Sequence, residues 1–265
     1  MRRIDSRHNP LVGLFREAAD ARDQTGRRLL LDGAHLVREA RVSGVAIEVV
    51  VVASSRLAGE TEEGRLARAL AAEGVDVVEA SEQAFAAMSP VRSPSGIAAL
   101  VERPPSSADA LCTTRDAFLV AAVDVQDPGN VGSLVRVAEA GGATGVLVCG
   151  ASANPFAWKA VRGSMGSILR LPVVPGLEAA DALARMHDAG IRTVAAVARG
   201  GVEPDAVDWR GNVAIVLGSE GAGLSEGLAD QCHARVSIPM AGAVESLNVA
   251  AAAAVLVYAA RRQRV

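Results

Sequence analysis

Lysine and aromatic residues are scarce in this chain of 265 residues. Lys159 is the one lysine among 27 basic residues, so arginine carries nearly all of the positive charge. Aromatic side chains make up 3% of the residues, so we expect a core built from Ala, Val and Leu. Arginine forms planar forks suited to phosphate, although codon usage would produce the same bias.

Cysteine and long apolar runs are also in short supply. Cys112, Cys149 and Cys232 are odd in number and widely spaced, which indicates neither a disulfide framework nor a zinc knuckle. Free thiols favour a reducing, cytoplasmic location. The polar, basic N-terminus lacks an apolar signal segment. The charge-free stretch at residues 246–260 is shorter than the roughly 20 residues that span a bilayer, so we expect no membrane association.

Excess positive charge is missing as well, since the formal net charge is −3. A dedicated nucleic-acid binder usually has a basic face, so the global charge argues mildly against one. Locally the balance differs: residues 1–42 hold nine arginines against six acids, and residues 151–177 hold Lys159, Arg162 and Arg170 with no acid. Local basic surfaces therefore remain compatible with RNA binding.

The order of helical and strand patterns predicts two α/β domains. A proline-containing segment, Glu102 to Asp109, has the composition of a linker. We place a small α/β domain at 1–105, a linker at 106–116 and a second domain at 117–265. Predicted strands are 28–31, 46–53, 75–78, 96–101, 117–123, 145–149, 192–197, 213–217 and 234–238. Predicted helices are 11–21, 34–42, 62–72, 131–140, 179–189 and 247–261.

The strands of the second domain are short, nearly continuous apolar runs, which is typical of parallel sheets covered on both faces. Such a sheet places its ligand crevice at the carboxyl ends of the strands. Three loops at strand ends are therefore the candidates for a functional site.

The first loop, from Asp124 to Arg136, contains Asp-Pro-Gly, which makes a tight turn. Asn130 is a candidate cap for the following helix. Arg136 lies within that helix on an otherwise apolar stretch. A turn, a cap and a surface arginine would explain the loop without any chemistry.

The second loop, from Leu217 to Leu224, has three glycines within six residues. Glycine lets a ligand or another backbone approach closely. The spacing matches neither the dinucleotide fingerprint nor a Walker loop. The third loop, from Ile238 to Val249, passes through small residues and is predicted to enter a helix with Ser246 as N-cap. Asn248 is either a buried amide that needs partners or a second capping group.

Other catalytic signals are weak. The four histidines lack metal-ligand spacing, so we expect no metal site, and no Gly-x-Ser-x-Gly elbow occurs. Cys149 ends a predicted buried strand, so we expect it to be a core residue rather than a nucleophile.

Together the three loops resemble the signature motifs of the SpoU/TrmH family of the SPOUT superfamily of RNA methyltransferases. The first motif corresponds to Asp127-Pro-Gly-Asn-Val-Gly132 with Arg136, and the second to Gly218-Ser-Glu-Gly-Ala-Gly223. The third corresponds to Ile238-Pro-Met240 with Ser246-Leu-Asn-Val249, and Lys159 to Gly166 is similar to the family's basic Arg-Gly-Ser segment.

The first hundred residues resemble the substrate-binding domain of rRNA-modifying members, a domain similar to a small ribosomal-protein fold. Ser6-Arg-His-Asn-Pro10 and the segment from Leu29 to Val37 carry this resemblance. Asp32 replaces the usual glutamate, which is a conservative departure.

The resemblance implies a trefoil-knotted catalytic domain, a homodimer, and S-adenosylmethionine as cofactor for 2'-O-methylation of RNA, with 23S-type rRNA as the substrate. Arg136 resembles the catalytic arginine, as an orienting group rather than a base, and Asn130, Glu220, Ser246 and Asn248 would position it and the ribose. The implied cofactor-binding residues are Gly218, Ile238, Leu247, Leu217, Gly221, Met240, Pro239 and Ala195. The implied RNA-binding residues are Arg7, Asn9, Lys159 and Arg162.

Three alternatives remain open from the sequence. A catalytically silent RNA-binding or ribosome-assembly protein on the same fold is disfavoured by Asn130, Arg136 and Asn248. A tRNA 2'-O-methyltransferase is disfavoured by the N-terminal domain, which favours rRNA as the substrate. A Rossmann-type nucleotide enzyme is disfavoured by the missing glycine fingerprint.

Overall fold

The computed structural model describes residues 1–20 and 27–264. By packing, these residues form two compact units. The N-terminal unit combines Met1–Pro104 with Phe156–Arg170, and the C-terminal unit combines Pro105–Pro155 with Leu171–Val265. The basic segment around Lys159 and Arg162 therefore packs with the N-terminal unit, although it interrupts the sequence of the other.

The N-terminal unit is a five-stranded mixed sheet with helices. Its strands lie in the order β1-β4-β3-β5-β2, in which β1, β4 and β3 are parallel and β5 is antiparallel to both β3 and β2. The elements in chain order are β1 (Arg2–Ile4), α1 (Pro10–Asp20), β2 (Arg28–Asp32), α2 (Ala34–Ser43), β3 (Ile47–Ala53), α3 (Ser54–Leu57), α4 (Glu62–Ala72), β4 (Val77–Ala80), α5 (Glu82–Met88) and β5 (Ile97–Glu102).

One face of this sheet is covered by α1 and α5. Phe15 of α1 and Phe85 of α5 are fully buried in a cluster with Leu30 of β2, Val51 of β3 and Leu100 of β5. Burying such side chains contributes about 1.5–3 kcal/mol each, so this cluster accounts for much of the unit's stability. The small α/β domain predicted from the alternating pattern is confirmed.

The C-terminal unit is a six-stranded, entirely parallel sheet in the order β11-β9-β10-β6-β7-β8. The elements are α6 (Ala108–Cys112), β6 (Phe118–Val123), α7 (Pro128–Ala140), β7 (Gly145–Cys149), β8 (Val173–Leu177), α9 (Ala179–Asp188), β9 (Arg192–Ala196), β10 (Val213–Leu217), α10 (Glu226–Ala229), β11 (Ala234–Val236) and α11 (Val249–Arg264), with α8 (Trp158–Ser164) belonging to the N-terminal unit. The predicted parallel sheet is confirmed. The central strands β6, β7 and β10 are buried along their whole length, as their continuous apolar runs predicted.

All nine predicted strands and all six predicted helices are present, with ends that differ by up to three residues. Ala21, the predicted end of the first helix, lies outside the described residues. Strands β1 and β8 and helices α3, α5, α6, α8 and α10 were not predicted. Within the described part of the chain, no helix combines the length and apolar character needed to cross a bilayer.

Candidate functional site

The candidate site lies at the carboxyl edge of the C-terminal sheet. Strands β6, β10, β9 and β11 are parallel, so the loops that leave them emerge at the same edge. Strand β10 lies between β6 and β9, and β11 pairs with β9. This order brings the loops after β6, β10 and β11, which carry the three motifs, close together.

The loop after β6 turns into α7 through Asp127. The Asp127 carboxylate accepts a hydrogen bond of 2.8 Å from the backbone N–H of Asn130, and Pro128 occupies the first helical turn. The prediction that Asn130 caps this helix is therefore wrong, because Asp127 already satisfies the free N–H. This leaves the side-chain amide of Asn130 available for other partners.

The Asn130 amide joins the three motifs in a chain of hydrogen bonds. Its Nδ2 donates to Glu220 Oε1 at 2.6 Å, and its Oδ1 accepts from Asn248 Nδ2 at 3.0 Å. Asn248 Oδ1 accepts in turn from the backbone N–H of Ala250 at 3.0 Å. We call Glu220, Asn130 and Asn248 the motif network. It fixes the loops after β6, β10 and β11 relative to one another.

Asn248 also settles where α11 begins. The helix starts at Val249, and Asn248 caps it through Ala250 and Ala251. Ser246 was predicted as the N-cap and does not have that role, because it lies two residues too early. Ser246 instead lines the cavity described below. Asn248 thus both caps the helix and supplies the amide that contacts Asn130.

Arg136 lies on the exposed side of α7. Within residues 1–20 and 27–264 its guanidinium makes no hydrogen bond or ion pair. It follows Asn130 by six residues, which places the two side chains about 120° apart around the helix. Arg136 does not line the cavity below, so the structure separates it from the motif network along α7.

A cavity of about 420 Å³ opens beside the motif network, a size typical of sites for small ligands. Of the residues predicted to bind the cofactor, six line this cavity, namely Gly218, Ile238, Leu247, Leu217, Gly221 and Met240. Pro239 lines a neighbouring cavity of about 480 Å³. Ala195 lines neither, because it is fully buried within β9, and the next residue, Ala196, is the first to reach the cavity wall.

The glycines of the second motif have different roles. A Cβ on Gly218 would lie 2.1 Å from the carbonyl carbon of Gly223, so the loop folds back on itself at this position. An antiparallel bridge between Ser219 and Gly223 closes the same turn. At Gly221 a Cβ would meet nothing within 4 Å. Gly218 therefore admits the loop's own backbone, whereas Gly221 faces open space.

The sequence reasoning missed part of the cavity wall. The loop after β9 contributes Val197, Ala198 and Arg199, and the third loop contributes Glu245, which lies between the two segments of the third motif. The sequence feature that could have indicated this part of the wall is the Ala-Arg-Gly-Gly segment at the carboxyl end of a predicted strand.

Cys149 is not a nucleophile at neutral pH, because burial, followed by the charges of Asp124 and Glu178, raises the pKa of its thiol to about 12.

The four residues predicted to bind RNA all lie in the N-terminal unit. Arg7, Lys159 and Arg162 are exposed, and Asn9 caps α1 by accepting a 3.0 Å hydrogen bond from Leu11. Arg162 interacts electrostatically with the carboxylate of Asp32. Burial raises the pKa of Asp32, and the hydrogen bond from Ser95 and the charge of Arg162 oppose that change.

The chain matches two protein families. The SpoU rRNA Methylase family matches residues 117–258, and the MRM3-like substrate binding domain matches residues 17–99. The chain is 30% identical to the 23S rRNA (guanosine(2553)-2'-O)-methyltransferase RlmP of Bacillus subtilis, over 97% of this chain and 98% of that protein.

Solved structures agree with these matches. The crystal structure of an AdoMet-bound rRNA methyltransferase from Sinorhizobium meliloti gives a TM-score of 0.84 at 29% identity, covering 100% of this chain and 98% of that one. The SpoU methyltransferase AviRb from Streptomyces viridochromogenes, in complex with AdoMet, gives 0.82 at 27% identity over 97% and 98% of the two chains.

Proposed function

The chain belongs to the SpoU rRNA Methylase family, and from this premise we propose that it methylates a ribose 2'-hydroxyl in 23S-type ribosomal RNA. It is an S-adenosylmethionine-dependent RNA 2'-O-methyltransferase. The observation that carries the proposal is the motif network, which joins three separate loops beside the cavity.

The cavity suits S-adenosylmethionine by its chemistry. Leu217, Ile238 and Leu247 provide apolar surface for an adenine ring, and the loop of Gly218 presents backbone groups at the same wall. When bound, the cofactor supplies a methyl group activated by its positively charged sulfur. The motif network holds the three loops in place, which positions the ribose oxygen opposite that methyl group and lowers the entropic part of the barrier.

We assign Arg136 to the RNA rather than to the cofactor. A guanidinium stays protonated in proteins and is therefore a poor base. Because the side chain of Arg136 is exposed and has no partner within the described residues, it can form a planar fork with a backbone phosphate. In that position it orients the nucleotide and stabilises negative charge on the attacking oxygen. Asn130, Glu220, Ser246 and Asn248 are positioning residues.

Ribosomal RNA is favoured over tRNA by the N-terminal unit. Arg7, Asn9, Lys159 and Arg162 lie in that unit, where phosphate contacts would grip a structured RNA. The match to an MRM3-like substrate binding domain supports a dedicated substrate-binding role for residues 1–105, followed by the linker at 106–116 and a catalytic domain at 117–265.

Three further features complete the proposal. The catalytic domain contains the trefoil knot, whose threading explains the small residues Ala241, Gly242 and Ala243.

The protein is a homodimer, since Val255 and Tyr258 of α11 leave 42% and 49% of their surface exposed on one helical stripe. It acts in the cytoplasm, because Cys112, Cys149 and Cys232 are free thiols, as in a reducing compartment.

The test is methyl transfer to defined RNAs. We expect the purified protein to transfer tritium from methyl-labelled S-adenosylmethionine to a 23S rRNA transcript, with the label recovered in an alkali-resistant dinucleotide, as 2'-O-methylation requires. A protein lacking residues 1–105 should lose this activity while keeping cofactor affinity. Labelling of tRNA instead would move the substrate to the alternative class, and absence of labelling in every RNA would favour a catalytically silent protein.

A further inference from the structure

In the C-terminal unit, the wall of the candidate cavity carries charged residues to which none of the three motifs assigns a role. The cavity of about 420 Å³ and its neighbour of about 480 Å³ are both lined by the same five residues, Ala198, Arg199, Ile238, Met240 and Glu245. Arg199 and Glu245 are the two charged residues in this set. The boundary between the cavities therefore carries one positive and one negative side chain.

These two charges lack partners in the part of the chain that the structure describes. The first cavity is also lined by Glu220 and Glu226, but Glu220 accepts a hydrogen bond from Asn130, and Glu226 pairs with Arg235 at 2.8 Å. Arg199 and Glu245 have no hydrogen bond or ion pair within residues 1–20 and 27–264. They are therefore available to a ligand.

The backbone that carries Arg199 is held on both sides. Val197 N–H donates to the carbonyl of Val236 at 2.9 Å, and Gly201 N–H donates to Ser237 Oγ at 2.9 Å. A Cβ on Gly201 would lie 2.5 Å from the carbonyl carbon of Val236, so only glycine allows this close crossing. The loop from 197 to 202 is thereby fixed against the end of β11, which places Arg199 at the cavity wall before any ligand arrives.

The chemistry of the cofactor matches this wall. S-adenosylmethionine has one anionic group, the α-carboxylate, and its amino-acid end also carries an α-ammonium group. An arginine fork suits a carboxylate, and a glutamate suits an ammonium group. We propose that Arg199 binds the α-carboxylate and Glu245 the α-ammonium group, so that the amino-acid end lies at the boundary of the two cavities and the adenine lies against the apolar residues. This assignment rests on the proposed function.

Calorimetry with three nucleosides tests the assignment without any RNA or turnover. S-adenosylmethionine and S-adenosylhomocysteine share the amino-acid end, whereas 5'-methylthioadenosine lacks it. Arg199→Ala should weaken binding of the first two on the order of 10- to 100-fold, as expected for loss of hydrogen bonds to a charged group. Binding of 5'-methylthioadenosine should stay unchanged. Glu245→Gln should show the same selectivity with a smaller loss.

The matched control is Arg115→Ala, which removes another exposed arginine of the same unit that lines neither cavity. It should bind all three nucleosides like the wild-type chain. An equal loss for 5'-methylthioadenosine in Arg199→Ala would overturn the assignment, since the side chain would then act on the adenosine part or on the fold. Unchanged cofactor binding with weaker RNA binding and a salt slope reduced by about 1 would assign Arg199 to a phosphate instead. Failure of the wild-type chain to bind any of the three would overturn the proposed function along with this inference.

Discussion

Reversing the polarity of one hydrogen bond in the motif network tests whether the three loops act as a unit. Asn130 Nδ2 donates to the Glu220 carboxylate at 2.6 Å, and Asn130 Oδ1 accepts from Asn248. Asn130→Asp keeps the acceptor for Asn248 but replaces the donor with a second carboxylate. Asn130→Asp together with Glu220→Gln restores a donor, now on residue 220, facing an acceptor on residue 130.

The structure sets the expected magnitudes. A hydrogen bond to a charged group contributes about 1.5–3 kcal/mol, and we take about 2 because Glu220 is exposed. Repulsion between two carboxylates roughly 4 Å apart in water adds about 1 kcal/mol. Asn130→Asp should therefore lower the rate of methyl transfer on the order of 10²-fold. Glu220→Gln keeps a neutral hydrogen bond and should cost about 1 kcal/mol, or roughly fivefold.

The double variant should return to within roughly fivefold of the wild-type rate, which corresponds to a coupling energy of about 2–3 kcal/mol. The assay is single-turnover methyl transfer at saturating RNA and cofactor, with thermal melting to show that each variant is folded. If the double variant is slowed by the product of the two single effects, the residues act independently. The motif network would then have no role in positioning the substrate.

The remaining predictions concern four other parts of the chain. Arg136→Ala should lower the single-turnover rate on the order of 10²-fold or more while retaining cofactor affinity. Arg136→Lys should restore little of the rate, because a point charge cannot replace the planar guanidinium. A near-normal rate for the alanine variant would refute the proposed role of Arg136. Gly218→Ala should weaken S-adenosylmethionine binding in calorimetry, because the added Cβ would meet the backbone of Gly223. Gly221→Ala should leave this binding unchanged, because a Cβ there would meet nothing within 4 Å. Equal effects of the two variants would count against the loop geometry. Val255→Glu with Tyr258→Glu should convert a dimer into a monomer in sedimentation, whereas Val42→Glu, at a more exposed apolar site of the N-terminal unit, should not. A wild-type chain that sediments as a monomer at micromolar concentration would contradict the proposed dimer. Burial, followed by the neighbouring His233, lowers the pKa of His187. The folded protein should therefore lose stability as the pH falls through about 6.5. The difference between the urea midpoints at pH 7.5 and pH 5.5 should be smaller for His187→Gln than for the wild-type chain.

Most strands of the C-terminal sheet could be predicted because their burial on both faces leaves a continuous apolar run. Strand β8 could not, since Pro175 and Gly176 interrupt its sequence. It pairs at the sheet edge with a register shift near Cys149, where a missing N–H and a flexible residue are tolerated. Strand β1 was missed for a related reason, because Arg2 and Arg3 at the other sheet's edge are exposed.

The two misplaced helix caps show the limit of local reasoning about polar residues. Asp127 and Asn130 are both good capping residues, as are Ser246 and Asn248, and sequence alone does not choose between them. Which residue caps the helix is decided by contacts between residues more than 80 positions apart in the sequence, because Asn130 hydrogen-bonds to Glu220 and Asn248. The motif residues were predicted as a set, but their mutual contacts depend on how the sheet orders its strands.

The cavity wall was only partly predictable from the motifs. Gly218, Ile238 and Leu247 were found because they belong to recognisable segments, whereas Arg199 belongs to a loop with no motif of its own. That loop is held by long-range backbone contacts to Val236 and Ser237, which leave no local pattern. The packing of Phe156–Arg170 with the N-terminal unit is likewise a tertiary choice that composition does not indicate.

The most direct measurement of the central claim is the 2'-O-methylation pattern of cellular RNA from a strain that lacks this protein. We expect one 23S rRNA nucleotide to lose its 2'-O-methyl group, to regain it when the wild-type chain is supplied, and to remain unmethylated when Arg136→Ala is supplied at equal abundance. A methylation pattern that is identical with and without the protein, in ribosomal and transfer RNA alike, would contradict the account.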